Sequence, residues 1–310
     1  MKRYPLIVLA GPTGVGKTNL SIQLARELGA EILSADSMQV YRRMDIGTAK
    51  PSPAQQAQVQ HHLIDLVDPD QDFSVADYQA QFYQTVQAVL ERGKLPLMVG
   101  GTGLYIRACT QSFVFDPDGA NRQLRFELRR LADENGSAAL HRRLAQVDPA
   151  AAARIHPNDL VRIIRALEVY DATGTPLSTL QPKRNSDFQF RTIYLVLDRN
   201  RDELYQRIDA RVEQMLEAGL VHEVQSLLEM GYGPDLKPMQ SLGYRQIAQF
   251  LAGEISFDEG VAQIKQQTRH YAKRQLTWFR REPADCWLNL TARKQELIGE
   301  ILGYIEGRLD

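Results

Sequence analysis

A loop suited to holding phosphate is the clearest chemical feature of this chain of 310 residues. Residues 8–20 read VLAGPTGVGKTNL, an apolar run, a glycine-rich loop and the start of a helix. The glycines let backbone N–H groups converge on an anion, the helix N-terminus adds positive dipole, and Lys17 adds a full charge. The predicted phosphate ligands are Gly11, Pro12, Thr13, Gly14, Val15, Gly16, Lys17 and Thr18. The Thr18 hydroxyl is placed to bind phosphate-chelated Mg²⁺, which is the predicted cofactor.

A second candidate group is Asp36, at the end of the next largely apolar run, where it faces the same crevice as Lys17. By position alone it is either a turn aspartate or a base or metal-positioning carboxylate beside the phosphate site. Nucleotide-hydrolysing enzymes and kinases usually hold Mg²⁺ with an aspartate at the end of a later buried strand. Here the run 95–99 continues as Gly-Gly-Thr-Gly at 100–103. The missing carboxylate weakens the ATPase, GTPase or kinase interpretation but leaves it open.

Apolar periodicity predicts the elements that position these groups. Largely apolar runs at 6–9, 31–35 and 95–99 are typical of strands buried on both faces. Leucines at every fourth residue from Leu20 to Leu28 and a capping box at 74–77 predict helices between these strands. This alternation favours a parallel sheet with right-handed crossovers. The predicted fold is therefore α/β, with a P-loop NTPase-like core in which helices flank a mostly parallel sheet.

The pattern changes in the middle of the chain. From about 121 to 179 the sequence reads as helices only, with arginine-rich polar faces, before an apolar run at 192–197 predicts another buried strand. We interpret the block as an inserted all-helical domain. The predicted division is 1–115 for the first part of the core, 116–188 for the insertion, and 189–310 for the resumed core with a helical, basic C-terminal region.

Composition narrows the class of protein. A hydrophobic content of 44% supports a sizeable core, and a net charge of −1 argues neither for nor against a polyanionic partner. Cys109 and Cys286 are isolated, which disfavours a disulfide framework or a structural zinc and fits a reducing cytosol. No stretch approaches the ~20 apolar residues needed to span a bilayer. We expect a soluble, cytoplasmic protein that acts as a monomer.

Further motifs follow the phosphate loop in a fixed order. They are DSMQVY at 36–41, DIGTAKP at 45–51, HHLID at 61–65, VGGTGLY at 99–105, HPND at 156–159, RALEV at 165–169, GYR at 243–245, and TR at 268–269 with Trp278. Together they resemble the tRNA dimethylallyltransferases, also called tRNA isopentenyltransferases, over nearly the whole chain. The sequence lacks the Cys/His zinc-finger tail of eukaryotic relatives, so it resembles the bacterial type.

The resemblance implies transfer of a dimethylallyl group from dimethylallyl diphosphate to N6 of the adenosine immediately 3′ of the tRNA anticodon, with release of diphosphate. Asp36 would accept the proton of the amine, and Thr102 would face the transfer site. Lys17 and Arg211 would bind the diphosphate and stabilise its developing charge. No phosphoryl group moves in this reaction, so a hydrolytic carboxylate is not needed. The expected partners are dimethylallyl diphosphate and the tRNA anticodon stem-loop.

Two basic clusters flank the predicted phosphate site. One is the arginine-rich block between 121 and 184, and the other is a helical face on which Lys265, Arg269 and Lys273 recur at every fourth residue. Either cluster alone is typical of a solvated surface, but together, beside a phosphate site, they favour RNA binding. With the positions that the resemblance implies, the predicted tRNA contacts are Asp36, Ser37, Met38, Gln39, Thr102, Arg125, Val161, Arg162, Ile163, Ile164, Arg165, Gln240, Ser241, Leu242, Gly243, Tyr244, Arg245, Lys273, Arg274 and Arg280.

Three other functions are compatible with parts of the sequence. An isopentenyltransferase acting on free adenine nucleotides would need neither the helical insertion nor the basic C-terminal stripe. A P-loop small-molecule kinase would transfer phosphate from ATP. A non-enzymatic, nucleotide-dependent RNA binder would keep its activity when Asp36 is replaced by alanine.

Overall fold

The computed structural model describes residues 4–111, 122–179, 190–291 and 297–309. The strands are β1 (Tyr4–Ala10), β2 (Ala30–Ala35), β3 (His61–His62), β4 (Leu95–Gly100), β5 (Phe190–Asp198) and β6 (Cys286–Asn289). The helices are α1 (Lys17–Leu28), α2 (Pro53–Gln56), α3 (Val75–Glu91), α4 (Gly103–Thr110), α5 (Arg122–Asn135), α6 (Ser137–Val147), α7 (Pro149–Ala152), α8 (Leu160–Thr173), α9 (Arg201–Glu217), α10 (Leu220–Glu229), α11 (Tyr244–Leu251), α12 (Phe257–Phe279) and α13 (Leu297–Leu309). The predicted domain boundaries, at 115/116 and 188/189, lie outside the described residues.

The strands of the described residues form one six-stranded sheet in the order β3-β2-β4-β1-β5-β6, and every neighbouring pair is parallel. This confirms the predicted mostly parallel sheet. Gly100 at the end of β4 pairs with Ala10 of β1 on one side and with Ala35 of β2 on the other. Since parallel strands end at the same edge, the turns that follow β1, β2 and β4 lie side by side.

Strand β1 shows why the core occupies both faces of the sheet. Leu6 and Val8 pack in one buried cluster with the apolar side of α3, while Ile7 and Leu9 pack in another with α1 and α13. A strand period of two residues sends alternate side chains to opposite faces, so a continuous apolar run fills both.

The helices beside the sheet begin and end where local signals predict. Helix α1 ends at Leu28, and Gly29 follows in the left-handed region at φ 60°, with its N–H donated to the last turn. At the start of α3, the Ser74 hydroxyl accepts the Asp77 N–H at 3.2 Å, and the Asp77 carboxylate accepts the Ser74 N–H at 2.8 Å. This reciprocal pair is the predicted capping box.

The chain packs as two compact units, one formed by Met1–Ser112 and Ser186–Asp310 and the other by Phe113–Asn185. In the second unit, α5, α6 and α8 enclose a separate core that includes Leu128, Leu144 and Ile163. All regular structure within the described part of this unit is helical, as predicted. Among the described residues, no helix has the length and apolar character needed to cross a membrane.

Candidate active site

The phosphate loop occupies residues 11–16, between the end of β1 and the first residue of α1. Gly16 is the N-cap residue of α1, and as a glycine it has no side chain to cap the helix. Gly14 has a φ of 79°, and a Cβ at this position would lie 2.8 Å from Cγ1 of Ile208 on α9. The close approach of α9 and the positive φ both require glycine at 14. The loop thus lies at a helix N-terminus, which favours bound anions.

Lys17 lies within the curve of the loop. Its Nζ donates to the carbonyl oxygens of Gly11 at 2.8 Å and Pro12 at 2.9 Å. Burial and the nearby positive charge of Arg211 lower the pKa of Lys17 to about 7, while the Asp36 carboxylate opposes this change. The fold therefore holds an ammonium where its charge is disfavoured and where an added anion would stabilise it.

Arg211, on α9, belongs to the same electrostatic cluster. Burial lowers its pKa, the Asp36 carboxylate raises it, and the positive charge of Arg207 one helical turn earlier lowers it. The structure thus brings three of the predicted catalytic residues into mutual electrostatic contact: Lys17, Asp36 and Arg211. Two cations and one carboxylate share a largely buried crevice at the carboxyl edge of the sheet.

Two arginines fix the backbone of the phosphate loop. Nε of Arg207 donates to the Gly14 carbonyl at 2.9 Å, and Nε of Arg199 donates to the Val15 carbonyl at 2.8 Å. Arg199 follows β5 and is also paired with Glu203 of α9. Sequence reasoning missed Arg199, whose only signal was its place just after the end of a strand beside β1.

Asp36 and Thr102 meet on neighbouring turns. The Asp36 carboxylate accepts the N–H of Met38 at 2.9 Å, so it does close a turn. The N–H of Ser37, which lies between them, donates to Oγ1 of Thr102 at 3.0 Å. Thr102 stands at the N-cap position of α4 but makes no capping hydrogen bond there. Its hydroxyl accepts the Ser37 N–H and donates to the Ser37 hydroxyl at 3.4 Å instead. The Thr102 side chain therefore bonds to the turn that carries Asp36 and not to the first turn of α4.

Gln275 of α12 joins the phosphate loop to the turn after β4, and sequence reasoning missed it. Its Oε1 accepts the Thr13 N–H at 2.9 Å, and its Nε2 donates to the Gly101 carbonyl at 2.9 Å. The side chain is buried. Burial raises the pKa of Tyr271, one turn earlier on α12, and the nearby Thr102 and Gln275 side chains oppose that rise. A Cβ on Gly101 would overlap the Gln275 amide. The glycine turn therefore makes room for a side chain from the far end of the chain.

The protein groups near the loop suit a magnesium ion held mainly by phosphate. Among the described residues, no group of three or more His, Cys, Asp or Glu side chains is arranged to hold a metal. Mg²⁺ in phosphate sites commonly keeps several waters and takes one or two protein ligands. The Thr18 hydroxyl, on the second residue of α1, fits such a sparse donor set. Its role as a ligand stays a prediction.

Glu223 of α10 organises the loop that carries the DIGTAKP motif. Its carboxylate accepts the backbone N–H groups of residues 45, 46 and 47 at 3.0, 2.8 and 3.1 Å, and the Tyr244 hydroxyl at 2.5 Å. Tyr244 is fully buried, and its ring lies against Gly47. Within the predicted tRNA-binding segment 240–245, this side chain is thus internal, and the segment is tied to the 45–47 loop through Glu223.

The same loop is tied to the Asp36 turn. The Gln39 amide donates to the carbonyls of Thr48 and Ala49, both at 3.3 Å, and accepts from the Ser34 hydroxyl at 2.8 Å. One hydrogen-bonded series therefore runs from Tyr244 through the 45–49 loop to Gln39. It connects two segments predicted to contact tRNA.

Part of the predicted basic stripe on α12 is neutralised by α9. Lys265 pairs with Glu213, and Nη1 of Arg269 lies 2.6 Å from the Asp209 carboxylate. The local sequence lacks carboxylates, but a neighbouring helix supplies them. These two residues are therefore weaker candidates for phosphate contact than the stripe suggested.

The predicted tRNA contacts on α12 and at its C-cap, Arg280, have different surroundings. Lys273 and Arg280 line a cavity of about 300 Å³, whereas the Arg274 guanidinium lies 5.8 Å from the centre of the Tyr271 ring. The other residues that line the cavity are Asp198, Arg199, Arg201, Leu204, Tyr205, Leu276 and Thr277. The lining contains four basic side chains and one carboxylate, and Arg199 among them is already paired with Glu203.

In the helical unit, some predicted tRNA contacts have structural partners. Nε and Nη2 of Arg125 contact the two oxygens of the Glu168 carboxylate at 2.6 and 3.1 Å, and the Glu168 side chain is only 1% exposed. Ile163 and Ile164 are buried in the unit's core, whereas Val161 is 75% exposed. Arg125 thus neutralises a buried carboxylate, and the two isoleucines pack inward.

Known proteins similar to this chain span nearly its whole length. The tRNA dimethylallyltransferase of Symbiobacterium thermophilum is 51% identical over 289 residues, which cover 93% of this chain and 90% of that protein. The tRNA dimethylallyltransferase 1 of Citrifermentans bemidjiense is 49% identical over 305 residues, 98% of each protein.

Solved structures show the same fold. The full-length tRNA isopentenylpyrophosphate transferase of Bacillus halodurans matches with a TM-score of 0.75 and 41% identity, covering 99% of this chain and 97% of that one. A eukaryotic dimethylallyltransferase acting on tRNA matches with a TM-score of 0.77 and 29% identity, covering 97% of this chain and 72% of that one. The sequence profile described as IPP transferase matches residues 39–282. This chain belongs to the IPP transferase family.

Proposed function

We propose that this protein transfers a dimethylallyl group from dimethylallyl diphosphate to N6 of the adenosine immediately 3′ of the anticodon in tRNA. The bond between C1 of the allyl group and the diphosphate oxygen breaks, and the electron pair leaves with the diphosphate. A bond forms between C1 and N6, which loses one proton. The observation that carries the proposal is the phosphate loop at the end of β1 with Asp36 and Thr102 on the neighbouring turns, where the Asp36 carboxylate opposes the lowering of the pKa of Lys17 and Arg211.

The phosphate loop and its two cations suit the leaving group. An allylic diphosphate reacts readily once the charge that develops on its oxygens is neutralised. Lys17 and Arg211 supply positive charge in a crevice where burial strengthens it, and the N-terminus of α1 adds its dipole. The Thr18 hydroxyl would be the protein ligand of a phosphate-bound Mg²⁺, which would supply further charge neutralisation to the leaving group.

Asp36 suits the acceptor. The adenine amine is a weak nucleophile, but its proton becomes acidic as the bond to carbon forms, so a carboxylate is a sufficient base. Asp36 is held on its turn by the Met38 N–H, and Thr102 is held beside it by the Ser37 N–H. The acceptor base must leave its stack to reach such a crevice, as in other enzymes that modify a base.

The test is to incubate the protein with unmodified tRNA and dimethylallyl diphosphate and to analyse anticodon-loop fragments by mass spectrometry. We expect one dimethylallyl group on the adenosine next to the anticodon. Asp36→Asn should slow transfer by roughly 10²–10⁴-fold, the usual contribution of a general base, with tRNA binding retained. Asp70→Asn, at an exposed turn position, is the matched control and should behave as the wild type.

Three results would contradict the proposal. Phosphate transfer from labelled ATP without prenyl transfer would indicate a kinase. Equal transfer to free AMP would indicate a free-nucleotide enzyme. Full transfer by Asp36→Asn would remove the base from the mechanism.

A further inference from the structure

The space between the phosphate loop and the end of β4 is filled by one side chain. In enzymes that bind nucleoside triphosphates at such a loop, the lysine reaches the outer phosphates, and a residue at the end of a later strand holds the metal beside them. That space therefore belongs to the terminal phosphate and its metal. In this protein β4, one of the two strands that flank β1, ends in a glycine turn, and Gln275 enters from α12.

Gln275 closes this space tightly. Its amide bridges the Thr13 N–H and the Gly101 carbonyl, each at 2.9 Å, and the side chain is 6% exposed. A Cβ on Gly101 would lie 3.3 Å from the Gly11 carbonyl oxygen, so the turn and the loop also approach each other directly. An uncharged amide whose oxygen and nitrogen are both bonded to backbone occupies the gap.

The bridge also withdraws one amide from the phosphate loop. The Thr13 N–H belongs to the set that the sequence offers to an anion, but in the fold it is donated to Gln275.

We propose that Gln275 determines the specificity of the loop for diphosphates, because it fills the position that a third phosphate would need. This inference rests on the proposed function, in which the loop holds a diphosphate. It explains chemically how a nucleotide-type loop rejects the abundant nucleoside triphosphates that share its recognition chemistry. A purely structural bridge would instead weaken the binding of all anions together.

The experiment measures binding of inorganic diphosphate and inorganic tripolyphosphate by calorimetry, with Mg²⁺ present and without tRNA. These probes carry no base, so only the length of the phosphate chain differs. The wild type should prefer diphosphate. In Gln275→Ala the preference should fall by at least about tenfold, the change expected when one hydrogen bond to a charged group becomes available. Gln275→Met keeps the volume but not the amide, and its preference should stay near that of the wild type.

Gln266→Ala is the matched control, since Gln266 is exposed on the same helix. An unchanged ratio of the two affinities in a folded Gln275→Ala overturns the inference, and so does an equal shift in Gln275→Met. If Gln275→Ala does not fold, Gln275→Asn replaces it, because the shorter side chain also withdraws from Thr13. The same change in the ratio of the two affinities is then expected. Failure of the proposed function is distinct: the wild type would then bind neither anion, or Lys17→Met would bind both as the wild type does.

Discussion

Replacing Lys17 by methionine is expected to abolish diphosphate binding while making the protein more stable near pH 6. The pKa of Lys17 is about 7 instead of its usual 10.5, chiefly because of burial. A lowered pKa of a basic group means that the folded state disfavours its charged form. Below about pH 7 the folded protein must carry the buried charge, and it then bears the whole cost.

The size of this cost follows from the pKa. The difference between 10.5 and about 7 corresponds to an upper limit of about 5 kcal/mol, at about 1.4 kcal/mol for each pKa unit. Loss of the two hydrogen bonds from Nζ to Gly11 and Pro12 offsets about 1 kcal/mol each. Solvent near the partly exposed side chain screens part of the remainder. We expect Lys17→Met to gain about 2 kcal/mol of unfolding free energy at pH 6.

The sign of the pH dependence is fixed by linkage. Between about pH 7 and 10.5 the unfolded chain binds a proton at Lys17 that the folded protein lacks, so the stability of the wild type rises with pH. Lys17→Met has no such group. Its advantage should therefore shrink by about 2 kcal/mol between pH 6 and pH 9.

The assay is urea unfolding of the wild type and Lys17→Met at pH 6 and pH 9. Lys94→Met is the control, because Lys94 is exposed just before β4 and should show neither effect. A Lys17→Met protein that is less stable than the wild type at pH 6 would refute the cost assigned to the buried Lys17 charge. So would a difference between the two proteins that is the same at both pH values.

Two further predictions concern side chains that hold other groups in place. Glu223→Gln places an amide donor against the backbone N–H groups of residues 45–47. KM for tRNA should therefore rise several-fold in steady-state transfer assays, while kcat changes less. An unchanged KM would contradict this role. Arg125→Met leaves the buried Glu168 carboxylate without its closest cation, so unfolding free energy should fall by about 3 kcal/mol in chemical denaturation. An equal loss in Arg129→Met, at an exposed position, would point to helix propensity instead.

Much of the fold could be predicted because its signals are local. A continuous apolar run makes β1 a buried strand, Gly29 permits the left-handed end of α1, and the box at 74–77 starts α3. Strands β3 and β6 were not predicted, since His61–His62 is only two residues long and Cys286–Asn289 is partly exposed. Such short strands exist because a neighbouring strand pairs with them, and the local sequence does not encode that pairing.

The site was only half predictable for the same reason. The phosphate loop, Asp36 and Thr102 stand at the ends of strands that the sequence reveals, so topology alone brings them together. The contact between Gln275 and Thr13 joins residues 262 positions apart. The pairing of Arg269 with Asp209 likewise depends on how α12 packs against α9. Periodicity shows that a helix has a polar face, but it does not show which partner that face meets.

The electrostatics of the crevice make the proposed base and the proposed diphosphate site interdependent. Lys17 and Arg211 repel each other, and Asp36 lessens the cost of holding both cations in a buried place. Without the Asp36 carboxylate, the pKa of Lys17 would fall further, and a larger share of the free protein would lack the ammonium near pH 7. Loss of activity in Asp36→Asn therefore has two sources. The lost base lowers kcat at every pH, whereas the lost charge on Lys17 raises KM for the diphosphate substrate and does so more strongly as the pH rises.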